Sequence, residues 1–183
     1  MGTAKPYHIN GKSFLAYPNR NSVPFRESYR IPEAHTVVRG SLRYEGNTVL
    51  VKALLGLGWL DAERKGWLKK GLAWAQIQQQ ATGATSLSEA DLISRVHQLW
   101  PFSSAEEADR VVSGLRWMGL FSDEEPATVH DNLLDTLSAQ LEKLCSFQPG
   151  ERDLVMLQHK FVVEWKDGSE VRSRQTYTTH DFS

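Results

Sequence analysis

HTVVRGSLRYEGN, at residues 35–47, is the stretch that decides the predicted fold. Its side chains alternate with the two-residue period of a β-strand, so Arg39, Ser41 and Arg43 share one face. That face is cationic and rich in hydrogen-bond donors. Gly40 lies between the two arginines and leaves room for another backbone or a ligand to approach closely.

Two arginines on one face of a strand are suited to binding carboxylates. Each guanidinium presents a planar fork of N–H donors that matches both oxygens of a carboxylate, which a lysine cannot do. The alternative is an exposed edge strand with solvated arginines, because surface arginines are common. The pattern alone favours the exposed strand with solvated arginines, and the neighbouring sequence is needed to change that interpretation.

The composition excludes several classes of partner. The net charge is −1 and 40% of the residues are hydrophobic, so there is enough apolar material for a core and no basic footprint for nucleic acid or an anionic membrane. No apolar run is long enough to span a bilayer, and Met1–Gly11 lacks the apolar core of a secretory signal. The single cysteine, Cys145, can form no internal disulfide. We expect a soluble, cytoplasmic protein.

The distribution of strand and helix patterns predicts an α+β fold. Strands are predicted at Lys12–Tyr17, His35–Arg43, Asp153–Trp165 and Glu170–Thr179. We expect them to form one mostly antiparallel sheet, with sheet parts at residues 1–45 and 150–183 and an inserted helical lobe at residues 46–149.

The inserted lobe carries three apolar stripes at helical spacing. They comprise Leu92, Ile93, Val96, Leu99 and Trp100; then Val111, Val112, Leu115 and Met118; then Leu133, Leu134, Leu137, Leu141 and Leu144. Ser86 with Glu89, and Ser103 with Glu106, have the spacing of capping boxes and predict two helix starts. The stripes indicate a core, and we predict no metal site among them.

The end of the chain predicts a β-hairpin. Alternating residues precede and follow Asp167 and Gly168, which are typical of a tight turn. His159 falls on the more apolar face, where a buried structural histidine is more common than a catalytic one.

Several long motifs, in order, resemble one known family. They are AKPY, AYPNR, IPEAHTVVRGSLRYEG, GLRWMGLFSDEE, NLLDTLSAQLEKL and ERDLVMLQHKFVVEWKDGSEVRSR. Together they resemble the fungal saccharopine reductases, the NADP-dependent, glutamate-forming saccharopine dehydrogenases of the aminoadipate route of lysine biosynthesis. The resemblance runs from about Ala4 to about Arg174 and covers the C-terminal, substrate-binding and dimerisation portion of that enzyme.

The resemblance implies a substrate site. In the family the arginine of YPNR, here Arg20, contacts saccharopine, and so do the residues that correspond to Ser41, Leu42 and Arg43. The full enzyme interconverts saccharopine with glutamate and aminoadipate semialdehyde. We expect the four residues to converge on one concave surface, with both guanidinium groups facing an open cleft and Arg39 nearby as a further candidate. The catalytic proton donor and acceptor stay unassigned.

Departures from the family pattern limit what the resemblance implies. Within these residues no glycine-rich phosphate turn follows a strand, and GLGWLD ends a predicted helix. We therefore predict that NADP serves the full-length family enzyme but that this chain alone binds no cofactor and is inactive. One alternative is a non-catalytic module for dimerisation or interaction, whose expected partner is a second copy of the chain in a homodimer. The other is an inactive truncated gene product.

Overall fold

The computed structural model describes residues 4–152 and 154–179. The elements are β1 (Lys5–Ile9), β2 (Lys12–Pro18), α1 (Phe25–Ser28), β3 (Gly40–Arg43), α2 (Asn47–Gly56), α3 (Trp74–Thr82), α4 (Glu89–Leu99), α5 (Ala105–Trp117), α6 (Leu133–Cys145), β4 (Val155–Glu164) and β5 (Glu170–Thr179). Asp153, the predicted start of a strand, lies outside the described residues, as do residues 180–183. The chain divides into two compact units, Met1–Leu144 and Cys145–Ser183.

The first unit contains a three-stranded antiparallel sheet in the order β1-β2-β3. The sequence analysis predicted no strand at β1. Asn10 and Gly11 connect β1 to β2 with φ angles of 47° and 73°, and two left-handed residues in succession make a turn whose twist suits a hairpin. The Asn-Gly pair is a strong hairpin signal that the sequence analysis passed over.

The strand predicted at His35–Arg43 is shorter in the structure. β3 begins at Gly40, which pairs with Pro18, the last residue of β2. One further backbone bond continues the pairing, because the amide of Asn19 donates to the carbonyl of Arg39 at 3.3 Å. Residues 35–38 have no strand beside them, since the partner strand has already ended.

The core of the first unit lies in the helical lobe. The predicted stripes supply much of it, and their buried members include Leu92, Val96, Val111, Val112, Leu115, Met118, Leu133 and Leu137. Trp59 is fully buried and donates its indole N–H to the buried side-chain oxygen of Gln78 at 2.6 Å. That bond satisfies a donor that would otherwise be costly to bury.

Both predicted N-caps are wrong by one or two residues. The hydroxyl of Ser88, not of Ser86, accepts the amide of Asp91 at the start of α4. The hydroxyl of Ser104, not of Ser103, accepts the amide of Glu107 at the start of α5. Each helix start offers several serines, so spacing alone cannot choose among them.

The second unit contains the predicted hairpin. β4 and β5 pair antiparallel from Glu164 with Glu170 to Val155 with Thr179, and Gly168 in the turn has a φ of 82°. The prediction of one sheet is wrong, because β4 and β5 form a separate two-stranded sheet among the described residues. A tight turn lets the two strands satisfy each other locally, and periodicity does not encode which sheet a strand joins.

The predicted burial of His159 is also wrong, because its side chain is exposed. Its ring lies on one hairpin face near the rings of Phe161 and Tyr177, at centroid distances of 6.4 and 6.0 Å. Periodicity identified the apolar face correctly but could not show whether anything covers it.

Candidate functional site

Two guanidinium groups share one aromatic ring where β2 ends and β3 begins. The guanidinium carbon of Arg39 lies 4.0 Å from the centroid of the Phe25 ring, and that of Arg20 lies 5.6 Å from it. Both distances fall within the range of about 6 Å in which a cation is attracted to the face of a ring. We call Arg20, Phe25 and Arg39 the arginine pair and its ring.

Local hydrogen bonds hold these three side chains in place. The buried hydroxyl of Ser22 accepts the backbone amide of Arg39 at 2.8 Å, and the side-chain oxygen of Asn21 accepts the amide of Val23 at 3.1 Å, just before α1. Phe25 is the first residue of α1. The bond from Ser22 therefore ties the loop that carries Phe25 to the start of β3.

The charge of the arginine pair is not neutralised by the described part of the protein. Ion pairs among the described residues involve other cations, among them Arg64, Lys65, Arg116 and Arg172. Neither Arg20 nor Arg39 forms an ion pair or a guanidinium hydrogen bond with the described residues. Their N–H donors are available to an anion, and a carboxylate matches their geometry.

Ser41 and Arg43 occupy the same face of β3, but Leu42 does not. Ser41 pairs with Tyr17 and Arg43 pairs with Leu15, and the alternation of the strand places Leu42 on the opposite face. Leu42 can therefore serve a ligand on the arginine face only through its backbone. Its carbonyl accepts a hydrogen bond from Nη1 of Arg43 at 3.0 Å.

The predicted site residues fall at two places along β3. Arg20 lies with Arg39 at one end, whereas Arg43 lies at the other, four residues from Arg39 and so about 13 Å along an extended chain at ~3.3 Å per residue. The structure thus brings Arg20 to Arg39 more directly than to Arg43. Convergence of Arg20, Ser41, Leu42 and Arg43 on a single ligand stays a prediction.

Gly40 allows the close approach that the sequence predicted. A Cβ atom at this position would lie 2.7 Å from the carbonyl oxygen of Tyr17, which is closer than such atoms pack. The absence of a side chain therefore lets β3 lie against β2 between Arg39 and Ser41.

A cleft of about 270 Å³, which the sequence analysis did not find, lies beside the same sheet. It is lined by Leu15 of β2 and by the first residues of α2 and α5, with Arg110 across Gly46. Its carboxylates are those of Glu45, Glu106 and Glu107. The hydrogen bond from the Ser104 hydroxyl, together with its own backbone amide, holds the pKa of Glu106 below its usual value. Because the cleft carries charges of both signs, it does not select an anion as the arginine pair does.

Neither a metal centre nor a membrane-spanning helix is found among the described residues. No group of three or more His, Cys, Asp or Glu side chains there is arranged to hold a metal ion. No helix in that part of the chain is long and apolar enough to cross a membrane.

The fold and the arginine pair define an α+β domain with a surface suited to anionic ligands. The chain belongs to the saccharopine dehydrogenase C-terminal domain family, whose model matches residues 1–183. The resemblance found in the sequence is thereby confirmed.

Similar proteins include two fungal enzymes and a solved structure. Saccharopine dehydrogenase (NADP+, L-glutamate-forming) of Pyricularia oryzae is 48% identical over 180 residues, which are 98% of this chain and 39% of that protein. The Saccharomyces cerevisiae enzyme of the same name is 46% identical over 170 residues, 92% of this chain and 38% of that protein. The apo structure of saccharopine dehydrogenase (L-Glu forming) from Saccharomyces cerevisiae matches 97% of this chain and 40% of its own, with 43% identity and a TM-score of 0.89.

The chain thus spans about 40% of the length of these relatives. The names of the two fungal enzymes include NADP+. A dinucleotide is cradled by backbone amides at a glycine-rich turn between a parallel strand and a helix. The strand pairs among the described residues are all antiparallel, so those residues do not form such a cradle.

Proposed function

We propose that this chain is the substrate-binding part of a saccharopine dehydrogenase (NADP+, L-glutamate-forming). The full enzyme would interconvert saccharopine with glutamate and aminoadipate semialdehyde in lysine biosynthesis, in the cytoplasm. NADP would supply or accept the hydride, and we assign no residue of this chain to that step.

The observation that carries the proposal is that Arg20 and Arg43 are exposed and that neither forms an ion pair with the described residues. Saccharopine carries several carboxylates, and a charge-assisted hydrogen bond to each contributes about 1.5–3 kcal/mol. Arg20 is exposed beside Phe25, and Arg43 is exposed at the far end of β3. Ser41, which shares the strand face of Arg43, offers a hydroxyl between the two. These positions support contact with more than one carboxylate of an extended ligand.

Calorimetric titration of the full 183-residue chain with saccharopine tests this function. We expect saturable binding that Arg20→Met and Arg43→Met each weaken, because each substitution keeps the apolar stem and removes the donors. Lysine lacks the additional carboxylates, so it should bind more weakly than saccharopine. Absence of saccharopine binding at millimolar concentration would overturn the proposal.

We further propose that the chain alone does not turn over saccharopine with NADP+. The expectation rests on the missing dinucleotide cradle among the described residues. Formation of NADPH from saccharopine and NADP+ by the purified chain, followed by absorbance, would contradict it.

A second candidate function is self-association through one face of the β4–β5 hairpin. That face carries exposed apolar side chains, among them Leu157, Phe161 and Tyr177, which are 55%, 51% and 55% exposed. Removing such surface from water favours association. A second copy presents the same face, so a symmetric pair would cover both.

Sedimentation velocity over a range of concentrations tests the homodimer. Phe161→Thr should lower the dimer fraction. Val162→Thr is the matched control, because Val162 is 54% exposed on the opposite face of the same strand. A strict monomer at high concentration, or equal effects of both substitutions, would exclude this interface.

A further inference from the structure

We infer that Arg39 is a ligand-binding residue and that it forms, with Arg20, a clamp for one carboxylate of the ligand. The identity of that ligand as saccharopine rests on the proposed function above. The resemblance to the family implies contacts for Arg20, Ser41, Leu42 and Arg43. The sequence makes Arg39 only a further candidate nearby, and its geometry in this structure is what assigns it a role.

The first support is the shared ring. Arg39 lies closer to the Phe25 centroid than Arg20 does, at 4.0 Å against 5.6 Å. Two like charges beside one ring repel each other, and an anion between them would relieve that repulsion. Contact with the ring offsets part of the repulsion in the free protein, so both groups are held beside the same ring before a ligand arrives.

The second support is the fixed backbone of Arg39. Its amide is held by the buried Ser22 hydroxyl, and its carbonyl is held by the amide of Asn19. Both backbone groups of Arg39 are therefore satisfied by protein, while its guanidinium contacts the Phe25 ring and forms no ion pair or hydrogen bond with the described residues. Arg39 is partly buried as a residue, whereas Arg20 is exposed, so water competes less strongly for an ion contact at Arg39.

The third support is the chemistry of two forks on one carboxylate. A carboxylate accepts about four hydrogen bonds through its two oxygens, and one guanidinium satisfies at most half of them in a bidentate pair. The guanidinium of Arg39, together with that of Arg20, would supply the remaining hydrogen bonds to the two carboxylate oxygens. The clamp would hold one end of an extended ligand and leave Arg43, about 13 Å along the strand, for another carboxylate.

The test compares substitutions at Arg39 with a matched control. Arg39→Met keeps the apolar stem over Phe25 but removes the hydrogen-bond donors. If the role of Arg39 were purely structural, this variant would still bind the ligand. Arg64→Met is the control, because the Arg64 side chain is 86% exposed in the helical lobe. Binding of saccharopine and of glutarate, a simple dicarboxylate, is measured by calorimetry, and folding is checked by thermal denaturation.

We expect Arg39→Met to weaken saccharopine binding about tenfold or more, the size of effect that loss of one charge-assisted hydrogen bond produces. Arg64→Met should bind as the unsubstituted chain does, and Arg39→Lys should recover only part of the loss. In NMR spectra of the unsubstituted chain, the Nε–H resonance of Arg39 should shift as ligand is added. This measurement shows whether Arg39 contacts the ligand even if Arg39→Met fails to fold.

The outcomes separate this inference from the proposed function. If Arg20→Met loses saccharopine binding while Arg39→Met keeps it and the Arg39 resonance does not move, the clamp is overturned and the proposed function stands. If the chain binds glutarate through Arg39 but does not bind saccharopine, the clamp stands and the proposed function fails. If neither probe binds, both are overturned.

Discussion

Gly40 and the carbonyl oxygen of Tyr17 are so close that a Cβ atom at Gly40 would lie 2.7 Å from that oxygen. Because backbone cannot move aside as a flexible side chain can, Gly40→Ala should push β3 away from β2. We expect a loss of about 1–3 kcal/mol in the free energy of unfolding, as for other overpacked sites, measured by urea denaturation. Ligand binding should also weaken, since Arg39 and Ser41 flank the displaced residue.

Gly66→Ala is the matched control for that experiment. A Cβ atom there meets nothing within 4 Å, and the residue is exposed. The substitution should change the free energy of unfolding by less than about 0.5 kcal/mol. Equal effects at the two glycines would contradict the close approach of β3 to β2.

Phe25→Leu should weaken ligand binding with little effect on folding. Leucine keeps an apolar side chain but removes the ring face that attracts both arginines, an interaction worth about 0.5–2 kcal/mol. Calorimetry should therefore show a lower affinity, while the melting temperature changes little. Tyr29→Leu serves as the control, because Tyr29 stacks on Phe25 at a centroid distance of 5.7 Å, whereas the cation–π contacts of Arg20 and Arg39 are with the Phe25 ring. An affinity unchanged by Phe25→Leu would show that the ring does not position the arginine pair.

Ser104→Ala should destabilise the protein more than Ser103→Ala does. The Ser104 hydroxyl accepts the amide of Glu107 at 3.2 Å at the start of α5, and losing such a cap costs about 0.5–2 kcal/mol. Ser103 lies one residue earlier and does not cap this helix. Chemical denaturation gives the free energy of unfolding of both variants. A larger loss for Ser103→Ala than for Ser104→Ala would contradict the assignment of Ser104 as the cap.

The ion pair of Asp61 with Lys65 should make stability depend on pH at the acidic end. The Lys65 ammonium, 2.5 Å from the Asp61 carboxylate, and the amide of Glu63 hold the pKa of Asp61 below its usual value of 3.8. The stabilisation is therefore present above pH ~4 and is lost as the pH falls through the lowered pKa of the folded state.

The measurement is the melting temperature of the chain and of Asp61→Asn across that pH range. The difference between the two should be largest near neutral pH and should shrink below pH ~4. Lys65→Met should behave like Asp61→Asn, since it removes the first cause of the lowered pKa. Parallel profiles for all three proteins would contradict a role for the pair.

Local periodicity predicted the parts of this fold that depend on neighbours in sequence. The stripe through Leu92 and Val96 became a buried helix face, and the turn at Gly168 became a hairpin. The turn at Asn10 was also readable in the sequence, because Asn-Gly favours paired left-handed residues, yet it was missed. The division into two sheets could not be predicted, since alternation sets the face of a strand and not its partner.

The arginine pair illustrates the same limit at the candidate site. Alternation placed Arg39 and Ser41 on one face, but the contact of Arg39 with Phe25 arises only when the loop after β2 folds back. The buried Ser22 hydroxyl contributes to that fold by accepting the amide of Arg39, and nothing in the local pattern distinguishes Ser22 from the other serines. Sequence reasoning therefore found the charged residues and missed the ring that joins two of them.

The loop that carries Arg20 and Phe25 adds almost nothing to the hydrophobic interior. Ser22 is the one buried residue between positions 20 and 38, whereas the core cluster runs from Ala53 to Leu137. Mutations in this loop can accordingly change ligand preference with little effect on the free energy of unfolding, which depends mainly on the helical core. If the arginine pair binds an anion as proposed, substitutions in this loop would alter its specificity almost independently of the stability of the fold.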